Sequence, residues 1–585
     1  MLALAASAAA SVAAIVPSAA MAWHPPGTTN PITSPPGTPV LVSSMTAAPS
    51  GWHLTGNQVL ALARSNPVVI DNLVGHPHWV SYVYTRDYPV WQVSWFTPAG
   101  GKLPQREMIE VYIDDQTATV TQAWTGYQVA WTMARGYTGA FGRKINRWYL
   151  WVALCIAFLL PFVPWRRRPT LWHLDLLMLL GFSISLDAFN QSDLGISVPL
   201  IYPFLLYLLV RLVLLAHGRG RPREPLRLLI PPAYLVIGLV FLVGFRVGLN
   251  VTNSNVIDVG YAGVIGGDKI LHGEKLYGDF PTSNSAGDTY GPVNYYAYVP
   301  AVAIFGWSGT WDNLPAAHAA AILFDLLTML CLFLLGRRVR GPSLGIVLAY
   351  MWAAFPFTTY TLSSNSNDSL VALLTVLALL VVTSAPARGV FAAFAGLTKF
   401  APLALGPLFL RGVGDAPSKK KIAIYVGAFA LALFVAMAQV LFQGNFHAFW
   451  QDTVDYQFNR PAPFSIWGLW GGAQINPPSS LRPEQRVVEL ATIVFAISAA
   501  YFPRGRRDVV QVAALGAAII IAVQCCLAYW FYLYIVWFFP LAIFALAAAH
   551  PADPDDPSAQ LTGRGLWSAD LSLTSPLSQP LPAPA

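Results

Sequence analysis

The chain has 585 residues, 55% hydrophobic and only 11% charged, against about 25% charged in soluble domains; this excludes an ordinary soluble protein and marks a polytopic membrane protein with some aqueous parts. The net charge of +7 is no nucleic-acid signature, because most basic clusters sit between apolar spans, where Lys and Arg mark cytoplasmic loops. Cys155, Cys331, Cys525 and Cys526 all lie inside apolar segments, which excludes a disulfide framework and zinc-ligand spacing.

Residues 1–22 are Ala-rich and end in Ala20-Met21-Ala22, a cleavage pattern without a basic n-region. Cleaved signal or uncleaved anchor, the segment places the next part of the chain outside the cytoplasm. Residues 23–50, rich in Pro, Ser, Thr and Gly, read as a flexible linker. Residues 51–135 read as a small α+β module. Thr55 and Gln58 are spaced as a capping box for a helix running to about Asn66. VSYVYTR and PVWQVSWF then alternate as half-buried strands do. EMIEVYIDDQTATVTQAW reads as a hairpin turning at Asp114-Asp115-Gln116-Thr117, residues suited to a turn rather than to a metal.

The membrane part begins near Trp148. Spans are expected near 148–165, 171–190, 197–216, 228–249, 316–335, 343–361, 369–383, 422–442, 487–502, 509–526 and 531–549, most of the length a hydrocarbon layer of about 30 Å requires. Three of these lie within 148–216 and the other eight within 225–550. With the module outside, the clusters around Arg166, Arg221, Arg338, Lys420 and Arg506 all fall inside. Loops 250–315 and 443–486 then lie outside, and a disordered tail 551–585 inside. Tyr295–Trp311 is apolar, but parity forbids a full span. Val390–Leu410 is too short to cross twice and is read as a re-entrant pair of short helices carrying Lys399.

Candidate chemistry gathers in the outer loops. Asp258, just beyond the 228–249 span, suits a general base on a sugar hydroxyl, or caps a helix, or is a solvated loop acid. Asn367-Asp368 precedes a span and serves equally as cap or as site. Arg460, among aromatics in QFNRPAPFSIWGLW, suits a lipid phosphate or a snorkelling anchor. Lys399 is costly at bilayer depth and should face a cavity or an anion. Asp325, mid-span, should find a polar partner within the bundle. No P-loop, G-x-G-x-x-G, H-E-x-x-H or G-x-S-x-G competes, and the first large outer loop has no D-x-D pair.

These stretches carry two resemblances. The helix followed by VWQVSWF and VYIDDQTATVTQAWTG resembles a PepSY domain, which implies an extracytoplasmic interaction unit, separable from any catalysis. VIDVGYAGVIGGDKILHGEKLYGDFP and DTYGPVNYYAYVP, with SSNSNDSLVALLTVLAL, AGLTKFAPLALGPLFL and AYWFYLYIVWFFPL, resemble GT-C-fold glycosyltransferases, nearest to family 87, the polyprenyl-phosphate-mannose-dependent transferases. The resemblance implies sugar transfer, with inversion, from a polyprenyl phosphate to an extracytoplasmic hydroxyl at a cell membrane. The acceptor would be a glycolipid, polysaccharide or protein. Asp258 matches the family's loop aspartate, ahead of Gly273, Leu276 and Tyr277. Under this reading Arg460 and Lys399 stabilise the leaving phosphate and His272 assists the acceptor. Asp368 orients a sugar, Tyr277 and Asp288 contact substrate, and Asp368 or Asp288 is the next candidate base. No metal or cofactor is expected, and no nucleic-acid partner; an envelope protein partner would bind the PepSY-like module. The rival readings are a lipid-linked-sugar transporter or flippase, and a non-catalytic envelope-assembly protein acting through the module.

Overall fold

The computed structural model describes residues 37–99, 105–136, 141–163, 168–459, 464–470 and 480–552. The expected signal segment, Arg166, Arg460 and nearly all of the C-terminal tail lie outside these residues.

The N-terminal module is a sheet in the order β1 (Val40–Leu41), β2 (Val80–Thr85), β3 (Val90–Phe96), β4 (Glu107–Asp114), β5 (Thr119–Thr125), antiparallel throughout, with two helices on one face. The capping box forms: Gln58 Oε1 accepts from Thr55 N at 2.9 Å, and Gln58 N donates to Thr55 Oγ1. The helix ends at Arg64 rather than Asn66, because Asn66 caps a second helix, Pro67–Gly75, with proline at its first position. Residues 37–50, expected to be linker, instead supply edge strand β1 and pack Met45 against Gly56. The hairpin turns where expected, with Asp114 Oδ1 accepting from Gln116 N and Thr117 N. Asp115 is buried and accepts from Trp91 Nε1, His53 N and Leu54 N. Burial pushes its carboxyl up, but these donors outweigh that and hold it below the ordinary range.

Alternation divides the sheet. Trp91, Val93, Trp95, Ile109, Val111 and Ile113 face the helices and make the module's core. The opposite face carries Gln92, Ser94, Glu110, Tyr112 and Trp124, also buried.

Below the module lies a helical membrane bundle. Among the described residues, six helices are long and apolar enough to cross a membrane: Leu171–Asn190, Leu194–Ala216, Pro232–Thr252, Pro315–Arg340, Lys419–Phe442 and Val509–Cys526. Pro342–Ala354 and Pro356–Ser363 form a further pair bent by 58°, where Pro356 starts a new helix. Shorter apolar helices stand at other expected spans, including Asp368–Leu380. The polar partner of Asp325 is Arg246: the two form a buried ion pair, with Trp352 Nε1 donating to Asp325 Oδ1 at 2.8 Å and Arg246 also donating to Thr358 and Thr359. Residues of three of the basic clusters lie at the end of the bundle away from the module: Arg221 pairs with Asp508, Arg411 donates to Gly505 O, and Arg340 donates to Ala548 O.

Two features set up the functional end. The Gly-rich motif after helix Pro232–Thr252, which the sequence suggests is a loop, is a helix, Asp258–Leu271. Its glycines let it touch its neighbours: a Cβ at Gly263 would stand 2.5 Å from Tyr298, at Gly266 2.1 Å from Tyr295, and at Gly260 2.2 Å from Asn365 O. The partner helix, Pro292–Phe305, has 14 residues, about 21 Å and too short to span. The 390–410 region is a broken pair as expected: Ala385–Gly396, then Ala401–Leu405 running into Gly406–Arg411, with Lys399 in the break. Gly291 N and Val293 N donate to Thr398 O and Leu397 O of that break. A Cβ at Gly291 would lie 2.0 Å from Leu397 O, so only glycine permits this seat.

Candidate active site

At the module end of the bundle a cavity of about 910 Å³ opens among these elements. Its charged lining comes from four separate stretches: Asp258; Asp368; Lys399; and Arg482 with Glu489.

Asp258 is the first residue of its helix, exposed toward the cavity. Its backbone is fixed from both sides. Ile257 N donates to Ser364 O and Asn255 N to Ser363 O, while Asn284 Nδ2 donates to Asp258 O at 2.8 Å. Behind it Asn365, at φ 50, sends Nδ2 to Ser254 Oγ and Asn255 O, each at 3.0 Å. That left-handed backbone turns the Asn365 carbonyl against Gly260, which is why the motif needs glycine two residues after the acid.

Lys399 reaches Asp368 Oδ1 at 2.5 Å. The same oxygen accepts from Trp537 Nε1 at 2.7 Å. The ammonium also stands over the rings of Trp537, Tyr534 and Tyr290, at 5.1, 5.4 and 5.5 Å from their centroids. Asp368 is fully buried, and its Oδ2 has no hydrogen-bond partner among the described residues. This is a cation held in an aromatic box against a buried carboxylate, on the wall of the cavity.

Arg482, at the start of helix Arg482–Ser498, donates to Gln485 Oε1 at 2.7 Å and lies 3.7 Å from Glu489. The sequence reading above does not single this group out. The signal that could have found it is Glu489 inside an expected span, since a carboxylate at that depth marks a cavity or a pathway.

A π-helical turn, Trp450–Asp455, brings Thr453 and Val454 to the lining. Within that turn Asp452 lies against Asp288. Burial and the like charge of Asp288 push the Asp452 carboxyl up to about 6. Asp288 also accepts from Gly278 N.

Of the residues singled out from sequence, Asp258, Asp368 and Lys399 share the cavity. Tyr277 and Asp288 lie behind the wall rather than in it. Tyr277 is buried, donates to Tyr290 O at 2.9 Å, and is clipped by Asn445, whose Oδ1 accepts from Tyr277 N. Asp288 precedes the lining residues Thr289 and Tyr290. His272 caps the far end of the Asp258 helix, roughly 20 Å away, with its side chain 65% exposed and bonded to Asp268 O. Arg460 lies outside the described residues. No protein-family model matches this chain, and no curated protein does.

Proposed function

We propose that the protein is a membrane glycosyltransferase that moves a sugar from a polyprenyl-phosphate donor to an acceptor hydroxyl. One observation carries this reading: an exposed carboxylate at a helix start and a boxed ammonium, far apart in sequence, open on one cavity at one end of a membrane bundle. The resemblance of the same stretches to family 87 transferases supports it. Under this reading the module end faces outside the cell membrane and the basic end faces the cytoplasm.

Asp258 removes the acceptor proton as the hydroxyl oxygen attacks the anomeric carbon. The bond from that carbon to the phosphate oxygen breaks, and polyprenyl phosphate leaves with the electron pair, inverting the centre. Lys399 and Arg482 stabilise the leaving phosphate by donating hydrogen bonds to it. The attraction is strongest where water is scarce.

The test is transfer from radiolabelled polyprenyl-phosphate-mannose in membranes carrying wild type or Asp258→Asn at equal abundance. Loss of a positioned base is expected to cut transfer about 10²–10⁴-fold. Equal transfer by the two proteins removes Asp258 from the chemistry. Transfer by neither, with other polyprenyl-linked sugars also inert, removes the transferase reading.

A further inference from the structure

The cavity has a wall that does not come from the bundle. Trp131, Thr132, Met133 and Phe141 line it, and they belong to the chain that leads from the soluble module to the first membrane helix, Trp148–Leu159. This connector is held at three places. At the module, Arg135, only 1% exposed, pairs with Glu110 of β4, lies over the rings of Trp124 and Tyr112, and donates through Nε to Gln128 O. At the bundle, Gln128 Nε2 donates to Ser192 O at 3.1 Å, and Gly136, at φ +58, has Phe189 O and Ser192 N so near that a Cβ would meet them at 2.5 and 2.6 Å. At the active end, Gly142 N donates to Asn255 Oδ1 at 2.7 Å and Lys144 N to Asn253 Oδ1 at 3.1 Å, close ahead of Asp258 in the chain.

The surface so held is aromatic. Trp131 lies 6.0 Å from both Phe464 and Tyr529, Tyr529 OH reaches Met133 Sδ at 3.6 Å, and Phe141 packs on Phe531. Its position decides what it meets. The connector lies in the chain between the soluble module and the start of the first apolar helix, so under the membrane reading it belongs to the aqueous face. A prenyl chain belongs beside the lipid-facing helices, such as Arg482–Ser498 with its exposed Val487, Leu490 and Val494. The connector wall therefore faces the water-soluble substrate. Aromatic faces edged by a hydroxyl, here Thr132, match the C–H face and hydroxyl rim of a sugar ring.

We infer that the Trp131–Met133 wall binds a saccharide acceptor, with Arg135 as the positioning residue that lets the soluble module hold this wall in register with Asp258. The inference rests on the transferase reading for the word acceptor, but saccharide binding itself needs no turnover.

The experiment is saturation-transfer NMR on the full-length protein in lipid nanodiscs. The probes are methyl α-D-mannopyranoside, methyl α-D-arabinofuranoside and maltotriose, with farnesyl phosphate as a chain probe. At least one saccharide is expected to receive saturation from the wild type. The signal should fall several-fold in Trp131→Ala, persist in Trp131→Phe and fall in Arg135→Ala, with farnesyl phosphate unchanged throughout. The inference is overturned if no saccharide binds the wild type, if Trp131→Ala leaves binding intact, or if Trp131→Ala loses farnesyl phosphate instead, which would make the wall a lipid surface. Saccharide binding through Trp131 in a protein that transfers no sugar would uphold the site and reject the transferase.

Discussion

At the scale of single residues, the Lys399–Asp368 pair makes the sharpest prediction. Removing one member of a buried pair strands the other, a cost of about 3–5 kcal/mol. Lys399→Met or Asp368→Asn should therefore lower the melting temperature of the detergent-solubilised protein. The double variant Asp368→Asn/Lys399→Met should recover most of that stability and none of the donor binding. Recovery of both would make the pair purely structural. A second prediction concerns Asp452, raised to about 6 by burial and by Asp288. An acid raised in the folded state binds more protons folded than unfolded, so its contribution is full below about 4 and lost as pH rises through about 6. The contact between residues 276–290 and 445–455 should thus loosen as pH climbs across that window. Hydrogen exchange at Tyr277 is the readout, and Asp452→Asn should abolish the pH dependence. Lys399 and Asp368 are legible in the sequence because charge within apolar surroundings is costly and needs a reason. Arg246 carries the same signal, but its pairing with Asp325 is not legible, since nothing in the spacing couples the two; only packing shows that they meet.

At the scale of elements, the helix Asp258–Leu271 shows why part of the site is hard to read. Glycines at 260, 263, 266 and 267 look like loop punctuation. Their actual use is close approach, and the contacts that reveal it come from Asn365, Tyr295 and Tyr298, distant in sequence. The broken pair around Lys399 is legible because charge and proline interrupt an apolar run between two cytoplasmic signals. Gly260→Ala is the corresponding prediction. Its Cβ must push the helix start off Asn365 O, a backbone atom with nowhere to move. Transfer should drop about ten-fold or more, the cost of misplacing a reacting group by a fraction of an ångström. The melting temperature should fall only slightly, because the displaced unit is one helix end. Full activity in that variant would mean that the position of Asp258 is not critical.

At the scale of the whole molecule, the sequence presents the module as separable, and its own fold supports independence: a closed core between helices and sheet. The second face of the sheet argues otherwise. Glu110, Tyr112 and Trp124 are buried there by Arg135 of the connector. Deleting the module through Gly126 should weaken use of a small saccharide acceptor several-fold and spare binding of the donor. Extending the deletion to Gly136 should abolish transfer, because Trp131–Met133 go with it. Identical activity in the two truncations would show the wall to be dispensable.

The Arg246–Asp325 pair also bears on how the chain is made. Each charge sits within a long apolar helix, and each alone disfavours insertion by about 2.5–3.5 kcal/mol. The two are 79 residues apart. At about 5–20 residues per second, the ribosome needs roughly 4–16 s to deliver the acid after the base. During that interval helix Pro232–Thr252 carries an uncompensated guanidinium, and its other apolar residues must carry insertion against that cost. Arg246→Leu removes the cost and should raise the membrane insertion of this helix when it is made without Pro315–Arg340.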